Sequence, residues 1–345
     1  QVLEAYSYSF GKGVLTSFLK ETLVRFYTLV IIVLKIAGII SFRSFMQLFT
    51  LQFLVIFIVL AFILYRNITA KKKAIMAFTS LVVFVGVLRS SIDSLVLASK
   101  INLENAAFFA FATYLASIMQ APFRSIVAIT IPILSRAWKD KDTKEIGRIY
   151  QRSSINLLCF SLFVFILIWI NFSNAISFFN INPEYLIGKW VFFIMGLVTI
   201  IEMGTGVNSQ IIGTSTYWRF ELWTSLLLTA LIIPLSYTLT VKFGIIGPAL
   251  SNLISFIFYN LVRIWFLWKK FRLQPFTSKT IEVLLFAALA YFVTYLVFNN
   301  NTGLVTMVGS SALFGLLFIA AVYFRNISPD VKPVIESVLK RFSGK

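Results

Sequence analysis

The chain is dominated by apolar runs of about 20 residues, which short polar loops separate. A run of this length crosses the ~30 Å hydrocarbon core of a bilayer as a helix, and these runs lack the polar–apolar alternation of a barrel strand. Because backbone polar groups cannot go unpaired in lipid, the runs predict spanning helices. Ten are predicted, at residues 21–40, 45–65, 74–97, 105–135, 154–172, 188–207, 220–240, 245–267, 280–298 and 304–324.

The fourth predicted span, 105–135, is too long for one straight crossing and contains Pro122 and Pro132. Proline removes a backbone donor and clashes with the preceding turn, so it kinks or breaks a helix. In transporters, broken helices gather at the substrate cavity. We therefore expect a broken helix in this segment.

A helix start is predicted just after that segment. Asp142 and Glu145 resemble a capping box, in which an acidic cap precedes a glutamate by three residues. The pattern predicts a short helix that carries Ile146, Ile149 and Tyr150 and lies outside the next span.

Composition agrees with a membrane protein and argues against an enzyme. Hydrophobic residues make up 59% of the 345 positions and charged residues 13%, whereas a soluble globule keeps roughly a quarter of its residues charged. One cysteine and no histidine exclude disulfide frameworks, zinc sites and histidine-based catalysis. The sequence has no phosphate-binding loop, nucleophile elbow or paired-acid loop, so we expect no enzymatic activity and no cofactor.

The net charge of +18 follows from basic loops and does not require a nucleic-acid partner. When the loops are assigned alternately to the two sides, most of the 31 lysine and arginine residues fall on one side. The opposite side holds only Arg43, Lys100, Lys189 and Lys242. Since basic loops stay cytoplasmic, the basic side is predicted to be cytoplasmic, and both ends of the chain lie there.

The remaining basic residues lie inside predicted spans, where a charge costs at least ~2.5 kcal/mol. They are Arg25, Lys35, Arg89, Arg124 and Arg263. Arg89 and Asp93 are four apart, so they either line a cavity together or form a structural pair. Arg124 follows Pro122 closely and binds an anionic lipid headgroup, or else it snorkels to the headgroups or bridges helices of the bundle. Lys35 lies deeper than Arg25, and its alternatives are a cavity or the outer headgroups.

The most polar stretch near a helix end is 201–210. Glu202 in this stretch is predicted to bind a coupling cation or to pair with an arginine, and the alternative is a helix end with ordinary packing glycines. Asn260 and Arg263 are three apart on a later span. They either face an inner cavity or form interhelical hydrogen bonds, which is the commoner arrangement.

Four stretches together resemble the polysaccharide-biosynthesis flippases. Residues 124–142 (RSIVAITIPILSRAWKDKD) are similar to a helix that ends in proline and small residues before a basic-acidic cytoplasmic helix. Residues 204–215 (GTGVNSQIIGTS) resemble the helix end and loop of that family, and 243–252 (FGIIGPALSN) its tight outer turn. Residues 268–276 (WKKFRLQPF) resemble the basic loop that follows.

The resemblance is to the lipopolysaccharide or O-antigen flippase branch of the multidrug/oligosaccharidyl-lipid/polysaccharide exporter superfamily. It implies an all-α polytopic membrane protein with a MATE-like two-lobed helical bundle, six helices per lobe and two further helices. Residues 1–73 would then end the N-terminal lobe, 74–268 would form the C-terminal lobe, and 269–345 would hold the two additional helices and a cytoplasmic tail. The ten helices would be the fifth to fourteenth of a probable 14, so a chain that begins at Gln1 is expected to lack the first four.

The resemblance implies flipping of an undecaprenyl-pyrophosphate-linked oligosaccharide across the bacterial inner membrane by alternating access. Lys35, Arg89 and Arg124 are the candidate substrate-binding residues. Asp93 and Glu202 are the candidate coupling or gating acids, with H+ or Na+ as the coupling ion. The expected partners are the bilayer and the lipid-linked oligosaccharide; no metal or nucleic acid is expected.

Three other functions remain open. A cation-coupled drug or small-molecule antiporter of the same superfamily would have a cavity that is more acidic than basic. A membrane-embedded polysaccharide polymerase would have a large periplasmic loop, whereas the longest predicted one, 173–187, is small. A scaffold without transport activity is not excluded by the sequence.

Overall fold

The computed structural model describes residues 24–41, 44–45, 47–49, 51, 92–298, 303–330 and 333. The chain divides into two compact units, Gln1–Leu88 and Arg89–Lys345. In the first unit the helix α1 spans Val24–Ile36. The predicted spans 45–65 and 74–97 lie largely outside the described residues.

The described part of the second unit is helical. Residues 92–100 are helical, and the elements that follow are α2 (Leu103–Ile118), α3 (Ala121–Lys139), α4 (Thr143–Phe178), a 3-10 turn (Pro183–Ile187), α5 (Gly188–Gly204), α6 (Asn208–Thr214), α7 (Trp218–Phe243), a 3-10 turn (Gly244–Ile246), α8 (Gly247–Phe271), α9 (Ser278–Phe298) and α10 (Leu304–Phe324). Among the described residues, five helical stretches are long and apolar enough to cross a membrane, or six if a bent pair forms one span. The prediction of an all-α, multi-pass membrane protein is confirmed at this level.

One of these stretches, Trp218–Phe271, contains two antiparallel helices. The chain reverses at Gly244, whose φ of 60° favours glycine. The hydroxyl of Ser251 on α8 donates to the carbonyl of Ile232 on α7 at 3.2 Å, and Ser225 on α7 contacts Tyr259 on α8 at 3.3 Å. The contact that lies earlier on α7 lies later on α8, so the two helices run antiparallel and form a hairpin.

The bent pair is the segment in which the prolines predicted a break. Helices α2 and α3 meet at an angle of 49°, with the break just before Ala121. Pro122 lies in the first turn of α3, where a missing backbone donor costs nothing, while Pro132 lies inside the helix. The predicted broken helix is therefore confirmed, and the first of its two prolines marks the break.

Helix α4 differs from its prediction. Asp142 caps it as expected, because its carboxylate accepts the backbone N–H of Glu145 at 3.0 Å. The helix then runs for 36 residues without interruption, about 54 Å at ~1.5 Å per residue. The predicted short helix and the predicted span 154–172 are thus one helix, whose N-terminal turns extend beyond the length that crosses a bilayer.

The apolar core of the second unit lies around α4. The rings of Phe165 on α4 and Phe192 on α5 stack with centroids 5.6 Å apart, and those of Phe163 and Phe314 on α10 lie 5.9 Å apart. Asn171 on α4 donates to Ser311 on α10 at 2.9 Å. Close van der Waals packing together with interhelical hydrogen bonds holds helices to one another in lipid.

The hairpin provides a stability prediction at Gly247. A Cβ added there would overlap the backbone of Leu239 and Thr240, and backbone cannot move aside as a flexible side chain can. We expect Gly247→Ala to lower the free energy of unfolding by ~1–3 kcal/mol, measured by denaturant titration in mixed micelles. Gly213→Ala is the control, because nothing lies within 4 Å of the added carbon. Equal stability of the two variants would contradict the close helix approach.

Candidate functional site

A buried ion pair joins the two helices of the hairpin. The guanidinium of Arg263 on α8, only 4% exposed, pairs with the carboxylate of Glu221 in the first turn of α7. It also lies over the ring of Tyr259, 3.7 Å from the centroid. A buried guanidinium is tolerated only if a counter-charge and further contacts replace water, and this site provides both.

Helix α6 and the turn before it complete this polar cluster. Ser209 donates to Glu221 at 2.8 Å, and the amides of Asn208 and Asn260 are joined at 3.0 Å. Thr205 donates to the same oxygen of Asn260 at 2.9 Å. The polar stretch 201–210 therefore packs against the hairpin through side-chain hydrogen bonds.

Of the two alternatives for Asn260 and Arg263, the structure shows interhelical hydrogen bonds. Both side chains are buried, at 3% and 4% exposure. Glu221 was missed, although a signal existed: Glu221 and Arg263 lie equally far from Lys242, near the chain reversal. An antiparallel hairpin brings such positions side by side.

The predicted gating acid Glu202 lies at the break between α2 and α3. Gln120, the residue at the break, donates its side-chain amide to the Glu202 carboxylate at 3.4 Å. Glu202 is half-buried, and the hydroxyl of Thr205 donates to its backbone carbonyl at 2.8 Å. The predicted intramembrane acid Glu202 thus lies next to the break of the predicted broken helix.

Arg124 lies on the first turn of α3, one turn beyond the same break. Its side chain is exposed and makes no hydrogen bond or ion pair with any described residue. A guanidinium on an apolar helix needs water, a phosphate or a carboxylate nearby. Of the two predicted substrate-binding residues that the structure describes, Lys35 and Arg124, it is Arg124 whose exposed side chain is accessible to an anion.

Asp93 lies in a second buried polar site, toward the turn of the hairpin. Its carboxylate is 7% exposed and accepts the hydroxyl of Ser236 on α7 at 2.7 Å and the amide of Asn252 on α8 at 2.6 Å. Arg89, its predicted partner, lies outside the described residues. Asp93 links the helical residues 92–100 to both helices of the hairpin.

Lys35, the last of the predicted substrate-binding residues, lies in the final turn of α1 with its side chain half-buried. It belongs to the first unit, so its position relative to Arg124 is not described. The residues that the structure describes include no group of three histidine, cysteine or acidic side chains arranged to hold a metal ion.

Comparison with known proteins adds no identity. The chain matches no family model, no curated protein and no solved structure. Any functional inference therefore rests on two features of the structure. One is a broken helix with an accessible arginine and an acid at its break, and the other is a helical hairpin with two buried polar sites.

Proposed function

We propose that this protein flips an undecaprenyl-pyrophosphate-linked oligosaccharide across the bacterial inner membrane for lipopolysaccharide or polysaccharide biosynthesis. It would do so by alternating access, as a member of the flippase branch that its sequence resembles. The observation that carries the proposal is Arg124, an accessible arginine at the break of a membrane-crossing helix. The sequence resemblance supplies the substrate class.

The physical problem of such a flippase is the passage of a diphosphate through hydrocarbon. Guanidinium groups bind phosphate oxygens bidentately and remain charged at any working pH, so they compensate the phosphate charge better than lysine does. In this proposal Arg124 contacts the diphosphate, while Arg89 and Lys35 remain candidate substrate-binding residues whose positions relative to Arg124 are not described. A helix break next to Arg124 leaves backbone groups available to polar atoms of the same headgroup.

The acids serve the conformational cycle in this proposal. Glu202 contacts the break through Gln120, so a change in its charge would alter the contact between α5 and the bent pair. Asp93 holds residues 92–100 on the hairpin and would act as the second coupling or gating acid. The coupling ion would be H+ or Na+.

The test is a flipping assay in reconstituted vesicles with a fluorescent undecaprenyl-pyrophosphate oligosaccharide, in which protection from an external quencher reports translocation. Arg124→Gln is expected to lower the rate about tenfold, because one charge-assisted contact to phosphate is lost. Arg124→Lys should retain more activity than Arg124→Gln, since it keeps the charge but loses the bidentate geometry.

The matched control is Arg219→Gln, which removes an exposed arginine that stacks on Trp218 in the first turn of α7. It should flip at the wild-type rate. A wild-type rate for Arg124→Gln, or equal losses for both arginines, would contradict the proposed role of Arg124. Absence of flipping by the wild-type protein itself would contradict the proposed function.

A further inference from the structure

Helices α3, α4 and α10 enclose a cleft with a polar end and an apolar end. The polar chamber, about 370 Å³, is lined by Glu145, Arg148 and Arg152 among others. The apolar groove, about 480 Å³, is lined mainly by apolar side chains such as Phe160 and Ile319. The two spaces share the lining residues Ile126, Asn156 and Asp330, so they adjoin each other.

The polar chamber contains two arginines and two carboxylates. Arg148 donates to Glu145 at 2.9 Å, and Nε of Arg152 donates to Asp330 at 2.8 Å, with a second contact from the same guanidinium. Arg148 and Arg152 keep 68% and 48% of their side-chain surface exposed, and each guanidinium has five donors. Donors therefore remain for a ligand.

The Asp330 carboxylate of the chamber is also available in charged form. The hydrogen bond from Arg152 holds the pKa of Asp330 below its ordinary value, and the amide of Asn156 adds a second hydrogen bond in the same direction. A carboxyl group with a lowered pKa stays ionised at neutral pH and gains a proton only well below it. With two arginines and two acidic residues in its lining, the chamber has both signs of charge and no net formal charge.

The lengths of two helices place the boundary between chamber and groove at the edge of the hydrocarbon. Helix α10 has 21 residues, about 31 Å, and ends at Phe324, so Asp330 lies past its end. Counted back from Phe178, the ~20 residues of α4 that cross ~30 Å begin near Cys159. Asn156 and the chamber residues before it then lie at headgroup depth, and Phe160 lies in the hydrocarbon.

We propose that this cleft binds one glycerophospholipid with a zwitterionic, primary-amine headgroup, of the phosphatidylethanolamine type. The phosphate contacts Arg148 and Arg152, the ammonium group contacts Glu145 and Asp330, and one acyl chain lies in the apolar groove. A neutral chamber with two cations and two anions complements a headgroup that carries one charge of each sign.

Other lipids fit these charges less well. An anionic headgroup, including a diphosphate, would bring negative charge next to two carboxylates without a cation of its own to meet them. A choline headgroup has the right charges but no N–H donor for the carboxylates. The proposed lipid site does not depend on the proposed flipping activity, because it concerns a resident lipid beside α4.

The experiment is native mass spectrometry of the purified full chain with equal amounts of dioleoyl phosphatidylethanolamine, phosphatidylglycerol and phosphatidylcholine. Retention of phosphatidylethanolamine is expected to exceed that of the other two by about tenfold. Ile319→Trp fills the groove and should abolish this preference. Leu316→Trp is the matched control, because Leu316 is 71% exposed on the same helix and does not line the cleft.

A charge variant tests the headgroup contacts separately from the groove. Glu145→Gln combined with Asp330→Asn leaves two arginines without carboxylates, so the preference should change to phosphatidylglycerol. Equal retention of the three lipids by the wild-type protein, or an unchanged preference in Ile319→Trp, would overturn the proposal. If the charge variant does not elute as a folded protein, the comparison of Ile319→Trp with Leu316→Trp decides the question.

Discussion

Replacing Arg263 by methionine is expected to lower the free energy of unfolding by about 3–5 kcal/mol. The substitution leaves the Glu221 carboxylate buried without its cation, and Ser209 alone remains as its hydrogen-bond partner in the cluster. Glu221→Met should lower the free energy of unfolding by a comparable amount, because the guanidinium of Arg263, 4% exposed, then loses the carboxylate that pairs with it. Denaturant titration in mixed micelles measures both effects.

The double variant separates the cost of a broken pair from the value of the pair itself. With methionine at both positions no charge is buried, so the loss should be far smaller than the sum of the single losses. Arg219→Met, on the exposed side of the same turn as Glu221, should change stability by no more than ~0.5 kcal/mol. Additive losses in the double variant would show that the two side chains do not act as a pair.

The length of apolar runs was sufficient to predict the last two helices of the chain. The predicted spans 280–298 and 304–324 correspond to Ser278–Phe298 and Leu304–Phe324. Here each run is bounded by polar residues and turn residues on both sides, so the end of the apolar run is also the end of the helix. The break before Pro122 was predictable for a similar local reason, since proline acts on its own turn.

Helix α4 shows where this kind of reasoning fails. The change from polar to apolar residues after Arg152 was interpreted as the start of a new helix, but no glycine or proline interrupts the backbone there. A change from polar to apolar residues marks the depth at which a helix enters lipid. It does not mark an end of the helix. The capped start at Asp142 was recognised correctly, and only the end of that helix was misplaced.

The candidate site was predictable only in its parts. Sequence reasoning selected Arg124, Glu202 and Asp93 because each is a charge in an apolar segment. It could not place Gln120 against Glu202, because that contact joins residues 82 positions apart and depends on how α5 packs against the bent pair. The same limit applies to the cleft beside α4, in which Arg152 meets Asp330 across 178 positions.

Asp93→Leu is expected to lower the free energy of unfolding by about 2–4 kcal/mol, because Ser236 and Asn252 lose a buried charged acceptor at once. Asp93→Asn should cost less, since one amide oxygen can still accept the Ser236 hydroxyl. Glu104→Leu is the matched control. Because Glu104 is exposed in the first turn of α2, this substitution should lower the free energy of unfolding by ~0.5 kcal/mol or less. A loss for Asp93→Leu no larger than that of Glu104→Leu would contradict the buried contacts.

The same two variants separate the two roles that the sequence left open for Asp93. If Asp93 is a structural acid, it acts through its hydrogen bonds. The flipping rate of Asp93→Asn in the vesicle assay would then fall only as far as its folded fraction falls. A coupling acid must exchange its charge, so Asp93→Asn would stay folded and stop flipping. We expect the second result, because asparagine keeps the shape of the Asp93 side chain and can still accept the Ser236 hydroxyl, but it cannot gain or lose a charge. Normal flipping by a folded Asp93→Asn protein would assign Asp93 a structural role only.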